Sequence, residues 1–295
     1  MRFRLIIFLT AIVSSISANA QDIEKLLDEA TGNETEYATA TFKSTRIING
    51  HSIERMPEGQ LEFRISHRFG PINSGAYNYW GIDQANIHLG FDYGVTNWLM
   101  VGFGRGSYEK TYDGLLKFSI LRQSTGSKNM PISLSYFTSI AINTLKWEGP
   151  EKLYFWDRAS YVHQLLIARK FNERLSLEIN PTYIHRNMVD TEVDPNDLWS
   201  VGAGARFKIT KRISLNAEYY YVIPPINDYR STKTHNPLAI GIDIETGGHV
   251  FQVMFTNLVA MIEKAFIGET TDKWNEAGMH LGFNISRVFG LKRAK

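Results

Sequence analysis

The sequence of 295 residues contains no cysteine, which excludes disulfide bonds and thiolate metal sites. Beyond residue 20 it also lacks an apolar run of about 20 residues, the length that a membrane-spanning helix needs. The chain also lacks an excess of charge of one sign. Arg2 and Arg4 account for the formal net charge of +2, and without them the sequence has 30 basic and 30 acidic residues. We therefore expect no nucleic-acid partner, since such a partner requires a basic surface.

The first twenty residues have the organisation of a cleaved secretion signal. Arg2 and Arg4 precede an apolar stretch at residues 5–13, and Ala18 and Ala20 form a small-x-small cleavage site before Gln21. The apolar stretch is too short to span a bilayer. No cysteine follows the cleavage site, so lipoprotein anchoring is excluded.

Alternating apolar and polar side chains recur in twelve segments of the remaining chain. In residues 61–69, Leu61, Phe63 and Ile65 fall on one face of a strand and Arg64 and Arg68 on the other. Apolar residues outside and polar residues inside are typical of a transmembrane β-barrel. The predicted strands are 61–69, 85–93, 98–107, 115–123, 132–144, 159–171, 175–186, 199–209, 213–223, 238–244, 249–256 and 277–289.

The connections between these strands alternate in length. Short links such as 94–97, 172–174 and 210–212 separate longer ones such as 70–84 and 257–276. Bacterial barrels have an even number of strands, short periplasmic turns and long outer loops. We therefore predict a twelve-stranded antiparallel up-and-down barrel over residues 61–289, in the outer membrane of a Gram-negative bacterium. A strand-like stretch at 40–48 would break the parity, so residues 21–60 are interpreted as an extension in the lumen or at the periplasmic rim, and 290–295 as a basic tail.

The inward-facing positions predict a polar lumen in which the charges nearly cancel. A strongly ion-selective pore is expected to carry an excess of one sign at its constriction. Two interpretations stay open, a lumen closed by ion pairs and a narrow pore for small polar solutes. The candidate lumen-lining residues are Glu62, Arg64, Arg68, His88, Asp92, Lys117, Glu178, Arg206, Lys208, Glu218, Asp243 and His280.

The six tryptophans lie near the predicted strand ends. Aromatic residues form girdles at the two membrane interfaces of such barrels. The candidate interface aromatics are Trp80, Trp147, Trp156, Trp199 and Trp274 near the long loops and Trp98 at the opposite rim. A soluble β-sandwich or lipocalin-like barrel also alternates, but so many strands with an apolar outer face would expose a large patch to water.

Two local patterns raise further hypotheses. In the long link 257–276, Leu258, Met261, Ile262 and Phe266 recur at helical spacing, which fits a lid, a constriction or a segment flat on the outer leaflet. His88 with Asp92, together with His280, could ligate a metal, but hydrogen-bonded lumen histidines are the commoner case, and we predict neither a metal nor a cofactor.

A lipid hydrolase would need a nucleophile beside an outward-facing histidine at the outer rim. His67 and His163 are predicted to face outward, and neither has a serine of matching parity beside it. No nucleophile elbow, phosphate loop or zinc helix motif occurs in the sequence. We therefore do not predict an enzyme.

Two stretches resemble a known family. Residues 42–54 (FKSTRIINGHSIE), followed by 56–59 (MPEG) and 61–70, resemble the opening of an uncharacterised outer-membrane β-barrel family, and 282–289 (GFNISRVF) is similar to its last strand. The resemblance implies the fold and location over most of the mature chain and carries no activity or site residues. The assembly machinery commonly reads a terminal aromatic residue, whereas here six residues follow Phe289.

These patterns predict a channel or porin-like transporter for small polar solutes, in contact with outer-membrane lipid. The first alternative is a plugged structural barrel that docks a periplasmic or surface protein. The second is an outer-membrane lipid hydrolase.

Overall fold

The computed structural model describes residues 34–150, 152–224 and 232–291. The predicted secretion signal and most of the basic tail lie outside these ranges. The described chain belongs to two compact units. In the first unit, which includes residues 34–38 and 123–131, the short strands β1 (Thr35–Tyr37) and β6 (Ser124–Gly126) pair antiparallel.

The second unit is a closed barrel of twelve antiparallel strands. Each strand pairs with its neighbours along the chain, and the last strand pairs with the first, for example Phe289 with Leu61 and Ile285 with Ile65. Closure satisfies the backbone hydrogen bonds that a sheet edge would leave open to lipid. The strands are β2 (Gln60–Pro71), β3 (Ala85–Gly94), β4 (Leu99–Gly106), β5 (Tyr112–Leu121), β7 (Ser133–Ile142), β8 (Ala159–Lys170), β9 (Leu175–Arg186), β10 (Asp197–Lys208), β11 (Ile213–Ile223), β12 (Leu238–Thr246), β13 (His249–Thr256) and β14 (His280–Gly290).

The helices of the described chain are short. The α-helix α1 (Glu263–Gly268) lies in the link between β13 and β14, and brief 3-10 turns occupy Ile72–Ser74, Ala76–Gly81, Tyr108–Lys110, Phe155–Arg158 and Trp274–Glu276. In the described ranges, no helix has the length and apolar character needed to cross a membrane.

Burial alternates along the strands with the predicted period of two. In β11, Asn216, Glu218 and Tyr220 are buried while Leu215 and Tyr221 are exposed. The predicted fold, a closed twelve-stranded antiparallel barrel, is confirmed. The sequence left the facing of β8 ambiguous, and in the structure Val162, Gln164 and Leu166 face inward.

Some strand limits differ from the prediction. β5 begins at Tyr112 instead of residue 115, because Asp113 faces the lumen and its carboxylate contacts His88 on β3 (2.7 Å between Nε2 and Oδ1). β14 begins at His280 instead of 277, because Ala277 adopts a left-handed backbone conformation (φ 54°) that a strand does not accommodate.

Candidate functional site

Residues 39–59, here called the lumenal hairpin, fill the inside of the barrel. They precede β2 and enter at the short-turn end, where the Gly59 amide donates to the Gly94 carbonyl at 2.8 Å. The Ser52 amide donates to the Thr45 carbonyl (3.0 Å) and the Ile47 amide to the Gly50 carbonyl (2.9 Å), which closes a tight turn. Asn and Gly favour such turns.

Two wall carboxylates accept hydrogen bonds from the backbone of the hairpin. Glu218 on β11 accepts the amides of Asn49 (2.8 Å), Gly50 (3.1 Å) and Ile48 (3.2 Å), as well as the Asn49 side-chain amide (2.6 Å). Glu178 on β9 accepts the Ile53 amide at 2.7 Å. Each bond satisfies a buried peptide group that has no strand partner.

Wall cations and amides bind the hairpin carbonyls in return. Lys117 on β5 donates to the carbonyls of Ser52 (2.9 Å) and Glu54 (2.8 Å). Arg206 on β10 donates to the Ala40 carbonyl at 2.7 Å. Gln252 on β13 and Asn284 on β14 donate, each at 2.9 Å, to the carbonyls of Ile47 and Ile48 respectively. Side chains of β5, β9, β10, β11, β13 and β14 therefore bind the backbone of the hairpin.

Apolar contacts complete the fit between hairpin and wall. The side chain of Ile47 lies so close to Gly204 on β10 that a methyl group added at this glycine would collide with the Cδ1 atom of Ile47. The His51 ring packs on Phe137 of β7 with 4.2 Å between ring centroids. The buried apolar residues of the hairpin are Phe42, Ile47, Ile48, Ile53 and Met56.

A charged cluster surrounds Thr45 of the hairpin. Its hydroxyl donates to Glu62 on β2 (2.6 Å) and lies 3.0 Å from the Asp92 carboxylate on β3, which forms an ion pair with Arg64. Arg68 on β2 donates to the Asn49 side chain at 2.7 Å. Arg64 is paired with Glu62 and Asp92, whereas Arg68 is held by hydrogen bonds to the neutral side chains of Asn49 and Asn284.

The structure places the twelve candidate lumen residues on the inner face. Lys208, near the short-turn end, is partly exposed. The eleven buried ones are Glu62, Arg64, Arg68, His88, Asp92, Lys117, Glu178, Arg206, Glu218, Asp243 and His280. Asp243 accepts from Gln252 at 2.9 Å.

The histidines of the metal hypothesis have separate partners. His88 contacts Asp113 (2.7 Å) and not Asp92, while His280 contacts Asp272 (3.0 Å) and the Phe69 carbonyl (2.9 Å). Within the described chain, no group of three or more His, Asp or Glu side chains is arranged to hold a metal ion.

The link between β13 and β14 turns into the long-loop end of the barrel. The predicted apolar positions Leu258, Met261, Ile262 and Phe266 are buried, and Phe266 packs against Tyr220 with 5.3 Å between ring centroids. The first residue of α1, Glu263, pairs with Arg46 of the hairpin. The hairpin and α1 therefore meet inside the barrel.

His51 lies at this meeting point with neither ring nitrogen hydrogen-bonded to the described chain. Its Nε2 atom is 3.9 Å from Glu263. Burial, followed by the positive charge of Arg46, lowers the pKa of His51 well below its ordinary value, so the ring is neutral. Burial raises the pKa of Glu263.

Very little open space is left between hairpin, wall and α1. A cavity of about 20 Å³ remains beside Arg46, Asn49, Arg64 and His88, which is room for about one water molecule. This cavity beside the hairpin is therefore too small to hold a solute.

Five of the six tryptophans are exposed, on strands or in their connections. Trp80, Trp98, Trp147, Trp156 and Trp199 are exposed, whereas Trp274 is half-buried and its indole donates to the Leu238 carbonyl at 3.1 Å. His163 lies 2.7 Å from the Tyr136 hydroxyl and 3.1 Å from the Thr138 hydroxyl.

The sequence reasoning missed the functional residues that come from outside the barrel strands. Arg46, His51, Glu263 and Lys264 carry no periodic signal. Two hints were available: the turn-favouring pair Asn49–Gly50, and the strand parity that assigns residues 40–48 to the lumen or the periplasmic rim.

Comparison with known proteins gives the family. Residues 42–289 match the family described as membrane bound beta barrel domain (DUF5777). The chain belongs to this family. The match begins inside the lumenal hairpin and ends on the last strand, so hairpin and barrel are parts of one family domain. No curated protein matches the sequence.

Several solved barrels are similar to the chain at low sequence identity. The NanC porin is 10% identical with a TM-score of 0.49, covering 77% of this chain and 98% of its own. An outer membrane channel from Pseudomonas putida F1 is 13% identical with a TM-score of 0.49, covering 80% and 98%. Omp33, an outer membrane protein of Acinetobacter baumannii, is 8% identical with a TM-score of 0.42, covering 79% and 99%.

Proposed function

We propose that this protein is a gated, porin-like channel for small polar solutes in the outer membrane of a Gram-negative bacterium, and that the lumenal hairpin is its gate. The observation that carries the proposal is the polar character of the contact between hairpin and wall. Most of the bonds that hold the hairpin join wall side chains to its backbone. Water can replace such bonds when the hairpin leaves.

The wall of the vacated barrel would suit a water-filled pore. Glu62, Arg64, Asp92, Lys117 and Glu218 lie on the inner face of strands from both halves of the barrel. Eight-stranded barrels are filled by their own side chains, whereas this one encloses a folded-back segment closed by a single bridge between Arg46 and His51. Removal of the hairpin would thus open a lumen with charges of both signs, which favours polar solutes over ions of one sign.

Planar bilayer recording tests the proposal. The full chain is expected to be closed for most of the time with rare openings, and deletion of residues 39–59 is expected to give a steady open conductance. The matched control is deletion of residues 34–38, which lie in the other compact unit and should leave gating unchanged. A hairpin-deleted barrel that inserts and stays silent would refute the channel.

A plugged scaffold is the second candidate, and the filled lumen favours it. In that case the hairpin never leaves and the loops bind a periplasmic or surface protein. The two proposals differ in the behaviour of the full chain, because a scaffold conducts under no voltage or solute condition until the hairpin is deleted.

We also infer that the protein is not an enzyme and that its constant partner is the lipid of the outer membrane. Among the described residues, His163 lies 3.1 Å from the Thr138 hydroxyl, which places a base beside a hydroxyl group. Hydrolysis of a detergent-like ester by the purified chain, lost on His163→Asn, would overturn this inference.

A further inference from the structure

A second cavity lies at the long-loop end, separate from the small cavity beside the hairpin. Its volume is about 220 Å³. The charged residues that line it are the cations Arg158, Arg186 and Lys264 and the carboxylates Glu109, Asp190, Asp194 and Glu269. At about 30 Å³ per water molecule it has room for about seven waters. This is smaller than the pockets of drug-sized ligands and fits a solute of monosaccharide size.

The cationic side chains of this cavity differ in the groups that they contact. Lys264 of α1 is neutralised by two carboxylates, Glu109 and Glu269 (3.1 Å to Glu269). In contrast, Arg158 donates to the carbonyls of Asn143 (3.5 Å) and Leu145, and Arg186 to the carbonyl of Pro195 (2.5 Å). In the described ranges neither arginine has a carboxylate within ion-pair distance. Burial raises the pKa of Glu269, and the positive charge of Arg186 nevertheless acts on this carboxylate and lowers its pKa against that larger effect. Arg186 Nε has no hydrogen-bond partner in the described ranges.

The two arginines occupy one rim of the cavity. Arg186 ends β9 and pairs with Ser160 on β8, and Arg158 lies two residues before Ser160. Guanidinium groups bind carboxylates through two parallel hydrogen bonds, which makes an arginine pair a specific receptor for this group. The hydroxyl groups of Ser160, Tyr108 and Thr271 line the same cavity and can bond hydroxyls of a solute.

We propose that this cavity binds a small organic carboxylate bearing hydroxyl groups, with Arg158 and Arg186 holding the carboxylate. We place this cavity as the outer solute site of the channel, and this assignment rests on the proposed function. The site lies against α1, whose Glu263 meets the hairpin, so a bound solute is one helix away from the gate.

Isothermal titration calorimetry on the full chain in detergent tests the site without any conductance. The probes are gluconate and, as its uncharged match, glucose. Gluconate is expected to bind with an affinity that falls as ionic strength rises, and glucose to bind at least about tenfold more weakly, since each charge-assisted bond contributes a factor of about ten or more.

The variants Arg158→Gln and Arg186→Gln should each weaken gluconate binding at least about tenfold. Arg158→Lys and Arg186→Lys keep the charge and should retain part of the affinity. The control Arg174→Gln removes the same charge from the exposed turn between β8 and β9, at the other end of the barrel, and should bind like the wild type. Circular dichroism, and the comparison of gel mobility between heated and unheated samples, check that every variant is folded.

Equal binding of gluconate and glucose, unchanged affinity in a folded Arg158→Gln/Arg186→Gln variant, or no gluconate binding by the wild type would overturn the site. The result of the gluconate titration can be distinguished from the result of the conductance test of the channel. Gluconate binding by a barrel that never conducts would refute the channel and leave the site, whereas conductance without gluconate binding would do the reverse.

Discussion

The substitution Glu218→Gln probes the anchor of the lumenal hairpin. Glu218 accepts four hydrogen bonds from the turn, at 2.6 to 3.2 Å. Glutamine keeps one acceptor oxygen and turns an amide group towards the other donors, so about two charge-assisted bonds of 1.5–3 kcal/mol each are lost. Removing a buried charge also removes its desolvation cost, and we expect a net loss of about 2–4 kcal/mol.

A loss of that size raises the undocked fraction of the hairpin about 30- to 1,000-fold. Hydrogen exchange of the peptides that cover residues 45–54, measured by mass spectrometry in detergent, reports this fraction directly. The decisive amide is that of Ile53, which donates to Glu178 and not to Glu218. If the hairpin undocks as a unit, its exchange accelerates together with the exchange of Asn49 and Gly50.

The control is Glu245→Gln, which removes the same charge from the ion pair with Lys43 (2.6 Å), where both side chains are partly exposed. Such a pair contributes about 0–1 kcal/mol, so exchange should change less than about sixfold. Faster exchange confined to Asn49 and Gly50, or equal effects of the two substitutions, would refute concerted docking.

Three further perturbations test neighbouring parts of the account. The pKa of His51 is lowered in the docked hairpin, so the undocked state, whose histidine titrates near its ordinary pKa of about 6.5, binds the proton more tightly. Hairpin protection should therefore fall by about tenfold in total as pH drops from about 7.5 to 5.5, and exchange in His51→Gln should lack this component. Lys264→Met leaves two half-buried carboxylates without their cation, which costs less than the roughly 3–5 kcal/mol of a fully buried pair. Limited proteolysis within 257–276 should become faster, whereas unchanged cleavage would contradict the role of this ion cluster. Gly204→Val puts a branched side chain where Ile47 lies. Because this displaces the hairpin from the wall, bilayer recordings should show more frequent openings. A silent folded variant would argue against docking of the hairpin at β10.

The barrel was predictable because period-two burial is a local property of each strand. In β10, Val201, Ala203 and Ala205 face outward and Gly202, Gly204 and Arg206 inward, as their sequence alternation indicates. The start of β5 was not predictable in the same way. Asp113 looks like a loop residue until His88 of β3, two strands away in the barrel, is placed beside it.

The candidate site was predictable only in part. The polar inner face followed from parity, and the parity of the strand count removed residues 40–48 from the wall. The contacts of the hairpin were not accessible, because Glu218 binds backbone amides 168–170 positions away along the chain, and backbone groups leave no trace in the side-chain pattern. For the same reason, the meeting of Arg46 with Glu263 required the three-dimensional structure.

A reversible disulfide crosslink between the lumenal hairpin and the barrel wall most directly tests the claim that the hairpin is the gate. The chain has no native cysteine, and a Cβ atom added at Gly204 would lie 3.5 Å from Cγ1 of Ile47, close to where the sulfur of a cysteine at position 47 would lie. In a Glu218→Gln background, the pair Ile47→Cys and Gly204→Cys should be silent in planar bilayers when oxidised and should open after a reductant is added. Equal conductance before and after reduction, with the crosslink verified by mass spectrometry, would contradict a gate formed by the lumenal hairpin.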